Sequence, residues 1–354
     1  MKGVILHGGH GTRLRPLTHT GPKQLLPIAN KPMSLYCVET LIQAGVNEIA
    51  FIVGGTGAEK VKEFYGNGEK FNVKFSYIEQ EFPKGIAHAI SLCQNFINGE
   101  KFIVFLGDNI INKDISEYIL NFQKSNVEAS LLLCEVDNPS QFGIAEIKNN
   151  KIVNIVEKPK KPITNFAVTG IYCLTPHIFE IIKKLKPSWR NELEIADALQ
   201  MLIEEENELT YEMITDFWKD TGTPKDIIQA NKKILENMKE FQNGKNEEGV
   251  IISGKVMIEK GTIIKKGVKI TGPVIIGKNC IIENNCEIKS NSSIGDNCQI
   301  SECVISDSII MSGCKFEGNF KIKNSIIGSN SKISENKNSI NNQFLLGEGS
   351  QISI

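Results

Sequence analysis

From residue 2 to about residue 236 the chain alternates short β-branched runs with longer amphipathic stretches. Residues 4–6 are followed by 33–44, 48–53 by 58–65, 73–78 by 86–96, and 102–106 by 115–122. Runs too short for helices, separated by stretches of helical period, predict strands joined by crossover helices, and hence an α/β domain on a largely parallel sheet. Residues 130–136, 142–147, 151–156 and 166–174 predict further strands. Some of these are antiparallel, because turn signals such as Lys148-Asn149-Asn150 leave no room for crossover helices. Helices are predicted again over 176–184, 192–204 and 224–241.

The period then changes. Gln242-Asn243-Gly244-Lys245-Asn246 is polar and turn-prone and reads as a linker, so the expected domains are 1–240 and 250–354, joined by 241–249. Isoleucine recurs at 252, 258, 264, 270, 276, 282, 288, 294 and 300, a spacing of six without exception. A small or β-branched residue stands two places before each one from 258 onward: Val256, Thr262, Val268, Val274, Cys280, Cys286, Ser292 and Cys298. This hexapeptide repeat predicts a parallel β-helix with three short faces per coil and the isoleucines stacked inside. Gly277 and Gly295 are expected at corners where crowding or a positive φ disfavours a Cβ. The phase slips after Ile300, resumes at Ile310, Phe316 and Ile322, and slips again to Ile327 and Ile333, which predicts small corner insertions and about five coils. The apolar end, Phe344-Leu345-Leu346-Gly347 with Ile352-Ser353-Ile354, is expected to cap the solenoid or to meet a neighbour, and a homo-oligomer follows from the need to cover open sheet edges.

Composition narrows the function classes. At 354 residues two domains are the natural reading, and 40 basic against 41 acidic residues leave a formal charge of -1, with no field to draw nucleic acid or an anionic membrane. Met1-Lys2 opens into only a few apolar residues before glycines, and no run approaches the ~18 needed to cross a bilayer, so a cytoplasmic location is expected. The nine cysteines are scattered without a Cys-x-x-Cys pair, a pattern that suits packing better than disulfides or structural zinc.

The candidate chemistry lies at the first strand's end. Val4-Ile5-Leu6 runs into Gly8-Gly9-His10-Gly11-Thr12-Arg13-Leu14-Arg15-Pro16, and Gly21-Pro22-Lys23-Gln24-Leu25-Leu26-Pro27 follows. Only three residues are arginine, and two of them, Arg13 and Arg15, fall inside one nine-residue loop; the third is Arg190. A guanidinium fork matches phosphate geometry better than lysine does. Open α/β sheets hold ligands at strand carboxyl ends, where free backbone N–H groups cradle oxyanions. A nucleotide triphosphate fits this loop, although the glycines alone also describe a tight strand-to-helix turn. The loop lacks the Gly-Lys-Ser/Thr of a Walker A motif, and Gly54-Gly55 stand where a dinucleotide fingerprint needs a carboxylate.

Residues 1–32, with Gly-Gly-His-Gly-Thr-Arg-Leu-Arg-Pro-Leu-Thr and Pro-Lys-Gln-Leu-Leu-Pro, resemble the sugar-1-phosphate nucleotidylyltransferases, and most closely the long-form glucose-1-phosphate thymidylyltransferases. The resemblance runs in family order to about residue 235, through 80–89, Phe105-Leu106-Gly107-Asp108-Asn109, Gln141-Phe142-Gly143, Val156-Glu157-Lys158-Pro159, Ala167-Val168-Thr169-Gly170, 187–195 and Trp218-Lys219-Asp220-Thr221-Gly222-Thr223. It implies a Rossmann-like mixed-sheet nucleotidyltransferase domain followed by a left-handed parallel β-helix.

The resemblance also implies roles. Gly8, Gly9, Gly11, Thr12 and Gln24 would contact the nucleotide, Arg13 would grip the departing phosphates, and Lys23 would lie near the α-phosphate. Gln80 and the backbone of Gly85 would read a pyrimidine edge. Asp108 and Asp220 would hold Mg²⁺, which favours carboxylate and phosphate oxygens. Glu157 would accept from sugar hydroxyls, Gly143 and Val168 would line the sugar, and Lys158 would fix its phosphate. The implied substrates are dTTP, or UTP, and glucose 1-phosphate. His7 is read as mainly structural, His10 and His19 as loop residues open to a phosphate or solvent contact, and Trp189 and Arg190 as either supporting the sugar site or anchoring a helix. The rival readings are another hexose-1-phosphate nucleotidylyltransferase and a catalytically silent nucleotide-sugar sensor. Acetyl transfer by the β-helix is not expected, since all five histidines lie in the first domain and such chemistry needs a base beside the acceptor.

Overall fold

The structure, a computed structural model, describes residues 1–354 apart from 10, 335–340, 343–344, 349–350 and 354. It divides into two compact units, Met1–His10 with Ser34–Asp220, and Gly11–Met33 with Thr221–Ile354.

The first unit is built on a nine-stranded mixed sheet. Phe102–Leu106, Lys2–Leu6, Glu48–Val53 and Lys74–Glu79 run parallel. Phe166–Leu174 joins Phe102–Leu106 antiparallel, and from it branch the hairpin Gly143–Lys148/Lys151–Glu157 and the pair Ala129–Glu135/Leu209–Ile214. Val4 and Ile5 on the central strand are fully buried, as expected of a parallel strand covered on both faces. The hairpin turns through Asn149 and Asn150, both with positive φ (50° and 62°), the backbone of a tight turn that asparagine tolerates. Ala58–Tyr65 is helical over the expected residues. The stretch 86–96 instead breaks into Ile86–Ser91 and Gln94–Ile97. Two short strands escape the hydrophobic period: Asn109–Ile111 and Trp218–Asp220, which pair with each other.

The second unit contains the β-helix, in the arrangement of the left-handed type. Among the described residues its three faces have seven, seven and six strands, more than the five coils expected. The phase slips are not insertions. Stacked partners lie 18 residues apart at Ile264↔Ile282 and Ile282↔Ile300, 16 apart at Ile300↔Phe316 and 17 apart at Phe316↔Ile333, so the coils over residues 300–333 are shortened at their corners, whereas the last one is lengthened, with 20 residues at Ile322↔Asn342 and 19 at Ile333↔Ile352. The stacked isoleucines from 258 to 300 are buried, and each removes a side chain worth about 1.5–3 kcal/mol from water. Ile252, in the first coil, is only half-buried.

The corner geometry also differs from expectation. Gly277 and Gly295 answer crowding alone: a Cβ at Gly277 would lie 2.7 Å from the Asp296 nitrogen. The left-handed turns fall to other positions, to Gly261 and Gly267 with φ of 82° and 78° and to Asn279, Asn285, Asn291 and Asn297 with φ between 53° and 64°.

The stretch read as a linker supplies Phe241–Gln242 and Lys245–Asn246, strands paired with the coil above; two-residue strands with polar outward side chains resemble a linker in composition. The stretch expected as a cap likewise contributes Leu345–Leu346 and Gln351–Ser353 as the last described strands, while Phe344 and Ile354 lie outside the described residues. Helix Pro224–Asn237 begins in a capping box. Thr223 Oγ1 accepts from the Asp226 N–H, and the Asp226 carboxylate accepts from the Thr223 N–H, with Pro224 in the first turn.

Candidate active site

In the first unit the central strand stops at Leu6, and the Gly107 N–H donates to the Leu6 carbonyl at 3.0 Å, which brings the ends of two parallel strands together. Gly9 follows with φ 99°, in open space. Gly8 is needed for a different reason, since a Cβ there would stand 2.9 Å from Gln80 Oε1. Gln80 is nearly buried, its N–H bonded to the Val53 carbonyl at 2.7 Å and its Nε2 to His88 Nδ1 at 2.9 Å. His88 has its pKa lowered by burial and then by the charge of Lys84. In the neutral tautomer with the proton on Nε2, its Nδ1 accepts from the amide, which turns Gln80 Oε1 toward Gly8. Gly85, φ 101°, opens helix Ile86–Ser91, and a side chain there would collide with the backbone of Leu193. The sequence reading missed His88; its one signal is its place on the helix that Gly85 opens.

Asp108 follows Phe102–Leu106, and Asp220 ends Trp218–Asp220. The antiparallel register sets Asp220 opposite Asn109, one residue from Asp108. Trp218 Nε1, a donor only, donates to Asn109 Oδ1 at 2.6 Å and to the Thr169 carbonyl at 3.1 Å. That fixes the Asn109 amide, whose Nδ2 donates to Asp108 Oδ1 at 3.0 Å. An indole and an amide thus link the two strands that carry the aspartates, a link invisible to hydrophobic periodicity. The oxygen donor set fits Mg²⁺, which takes one or two carboxylates and completes its shell with substrate phosphate and water. Among the described residues no group of three or more His, Cys, Asp or Glu could hold a metal alone.

Gly143, Glu157, Lys158, Val168 and Asp220 line one cavity of about 130 Å³. The sugar-side residues named from sequence and one of the two aspartates therefore share a single space. Glu157 Oε1 lies 3.5 Å from Lys158 Nζ and 3.6 Å from Arg190 Nη2. Burial raises its pKa, the Lys158 and Arg190 charges oppose that, and the Glu194 charge adds to it. Arg190 grips buried Glu194 through two bonds of 3.0 and 2.7 Å, so it braces Glu157 as well as the start of helix Ile195–Glu204. Trp189 is 87% exposed.

His7 is buried, edge-on to Phe51 at 5.3 Å and to Tyr65 at 6.1 Å, in the aromatic layer under the sheet. Burial drives its pKa down to about 3, against a small opposing pull from Asp108.

The remaining predicted residues lie in the second unit. Gly11 adopts φ 56° and leads into the 3-10 turn Thr12–Leu14, which buries Leu14 and leaves Thr12 and Arg13 exposed. A Cβ at Gly222 would stand 3.0 Å from Arg13 Nη2, so that glycine leaves room for the guanidinium. Lys23 opens the turn Lys23–Leu25, half-buried, while Gln24 is buried inside it. His19 is exposed, and His10 lies outside the described residues.

Residues 2–237 match the family model described as Nucleotidyl transferase, and 270–353 match the GMPPB C-terminal domain. The chain belongs to the nucleotidyl transferase family. It is an enzyme of that family, and its relatives include thymidylyltransferases. A glucose-1-phosphate thymidylyltransferase of Streptomyces antibioticus is 36% identical over 357 residues, covering 100% of this chain and 99% of that protein. The low-salt glycan biosynthesis nucleotidyltransferase Agl11 of Haloferax volcanii is 42% identical, covering 72% of each. A crystal structure from Bacillus anthracis, described as a glucose-1-phosphate thymidylyltransferase in complex with sucrose, is 40% identical with TM-score 0.64, covering 68% of this chain and 98% of that one. No helix among the described residues is long and apolar enough to cross a membrane.

Proposed function

We propose that the chain condenses dTTP with α-D-glucose 1-phosphate to give dTDP-glucose and pyrophosphate. The observation that supports this best is the cavity shared by Gly143, Glu157, Lys158, Val168 and Asp220, together with the full-length similarity to a thymidylyltransferase. In this reading Glu157 accepts from sugar hydroxyls and Lys158 holds the sugar phosphate. That phosphate has a second pKa near ~6 and is largely dianionic at neutral pH, so it attacks the α-phosphorus without a protein base. Arg13 meets the charge growing on the departing pyrophosphate, and Lys23 the charge at the α-phosphate. Asp108 and Asp220 hold Mg²⁺, which when bound neutralises triphosphate charge. Gln80, oriented by His88, offers Oε1 to a pyrimidine N3–H.

Thymine and uracil share that edge and differ by one methyl, a contact worth ~1–3 kcal/mol. The base is therefore the finest point of the proposal, and relatives that include a UDP-glucose pyrophosphorylase, 28% identical with TM-score 0.60, make UTP the competing substrate. Pyrophosphate release by the purified full chain, measured as kcat/KM over a matrix of nucleotides and hexose 1-phosphates, tests it. dTTP with glucose 1-phosphate should lead, and Asp108→Asn should lower kcat by a factor of about 100 or more. Release with neither dTTP nor UTP removes the reaction class.

A further inference from the structure

The segment Gly11–Met33 carries both basic residues assigned above to the triphosphate, yet it packs with Thr221–Ile354 in one compact unit. Its second half is a small hairpin, Pro27–Ile28 against Lys31–Pro32, closed by the Met33 N–H on the Leu26 carbonyl at 3.0 Å. The hairpin turns through Ala29 and Asn30, both with positive φ, and at this turn it meets Asn231 of helix Pro224–Asn237. The Ala29 N–H donates to Asn231 Oδ1 at 2.8 Å. Ser293 Oγ, from a strand of the β-helix, donates to the same oxygen at 2.7 Å, and Asn231 Nδ2 donates to the Asn291 carbonyl at 3.1 Å. Asn30 Nδ2 bypasses the helix and donates to the Ile294 carbonyl at 2.6 Å.

These partners leave the Asn231 amide a single orientation. A backbone N–H only donates and a carbonyl only accepts, so Oδ1 must face Ala29 and Nδ2 must face Asn291. Asn231 and Ser293 are both fully buried, although Ser293 lies on its strand between the inward Ser292 and Ile294, on the side that faces away from the coil. A buried amide lacking partners is costly, and one with partners on two other segments fixes their positions relative to its own helix.

We propose that Asn231 is a positioning residue for the reaction. Through Ala29 it sets the hairpin that continues directly from the Lys23–Leu25 turn, and through Ser293 and Asn291 it ties that hairpin to one coil of the β-helix. The hexapeptide domain is then the footing of the triphosphate-gripping segment. This rests on the assignment of Lys23 and Arg13 to the triphosphate.

The test compares the full-length protein with Asn231→Ala, Asn30→Ala and the milder Ser293→Ala. A net hydrogen bond is worth a factor of about 2–10. Each variant should raise KM for the nucleotide by about that factor while KM for the sugar phosphate stays within about twofold. Amide exchange over residues 23–30 should accelerate by at least as much, with the strands around Ile282 unchanged. Unchanged exchange over 23–30, or equal rises in both KM values with a lowered melting temperature, overturns the proposal. Exchange needs no substrate, so a wild-type protein inert toward dTTP and UTP would remove the functional reading while the exchange still reports on the Asn231 contact.

Discussion

His7 directly precedes the glycine loop that opens at Gly8 and takes no polar part in it: among the described residues neither ring nitrogen has a hydrogen-bond partner. Its pKa of about 3 in the folded chain compares with about 6.5 in an unfolded one. The unfolded chain therefore binds a proton that the folded one refuses. The contribution of this site to stability is whole above pH ~6.5 and is lost progressively as pH falls toward the folded value, at up to ~1.4 kcal/mol per pH unit. Denaturant unfolding at pH 7, 6, 5 and 4 should show the wild type losing stability faster than His7→Leu, and parallel curves would refute the assignment. Asp108, Asp220, Glu157 and Lys158 were all legible from short motifs in sequence. Asn109, Trp218 and Arg190 act by holding those residues and His88 by holding Gln80, and a contact between side chains 109 residues apart, such as Trp218 with Asn109, leaves no trace in local pattern.

Among the elements, the hexad run shows what a period reveals and what it hides. Nine isoleucines at a spacing of six make the solenoid evident, because an inward position recurs wherever a coil does. The corners were misjudged, since asparagine reaches the left-handed region by tolerance rather than by lacking a Cβ and so carries a weaker signal than glycine. Asn285, exposed with φ 61°, separates the two ideas. Asn285→Ala should destabilise the chain by about 1–2 kcal/mol and Asn285→Gly by much less, read as unfolding midpoints; equal losses would mean that the asparagine side chain, and not the backbone, holds the corner.

For the whole molecule, among the described residues the sheets of the β-helix end in strands paired on one side only, and Ile251 beside its first coil is 56% exposed. Unpaired edges and uncovered apolar side chains favour association. We expect a homo-oligomer, and light scattering of the full chain should return a multiple of 39.3 kDa; a monomeric mass would remove the expectation. The same scale explains why boundaries are hard to read from sequence. Gly11–Met33 precedes most of the mixed sheet in the chain yet packs with the residues after Thr221, and only folded contacts such as Ala29 with Asn231 reveal that grouping.

The α/β alternation, the hexapeptide solenoid, the family and the residues that line the cavity are all legible along the chain, because each is written in local period or in contiguous motifs whose chemistry is specific. Folded contacts alone decide that the coils over 300–333 are shortened and the last one lengthened, that Gln24 turns inward, that His88 and Asn109 orient the groups beside them, and that Ala29 and Asn30 bond to Asn231 and to the β-helix. Those outcomes depend on which distant backbone and side-chain groups satisfy one another's hydrogen bonds once water is excluded, and no window along the chain contains both partners.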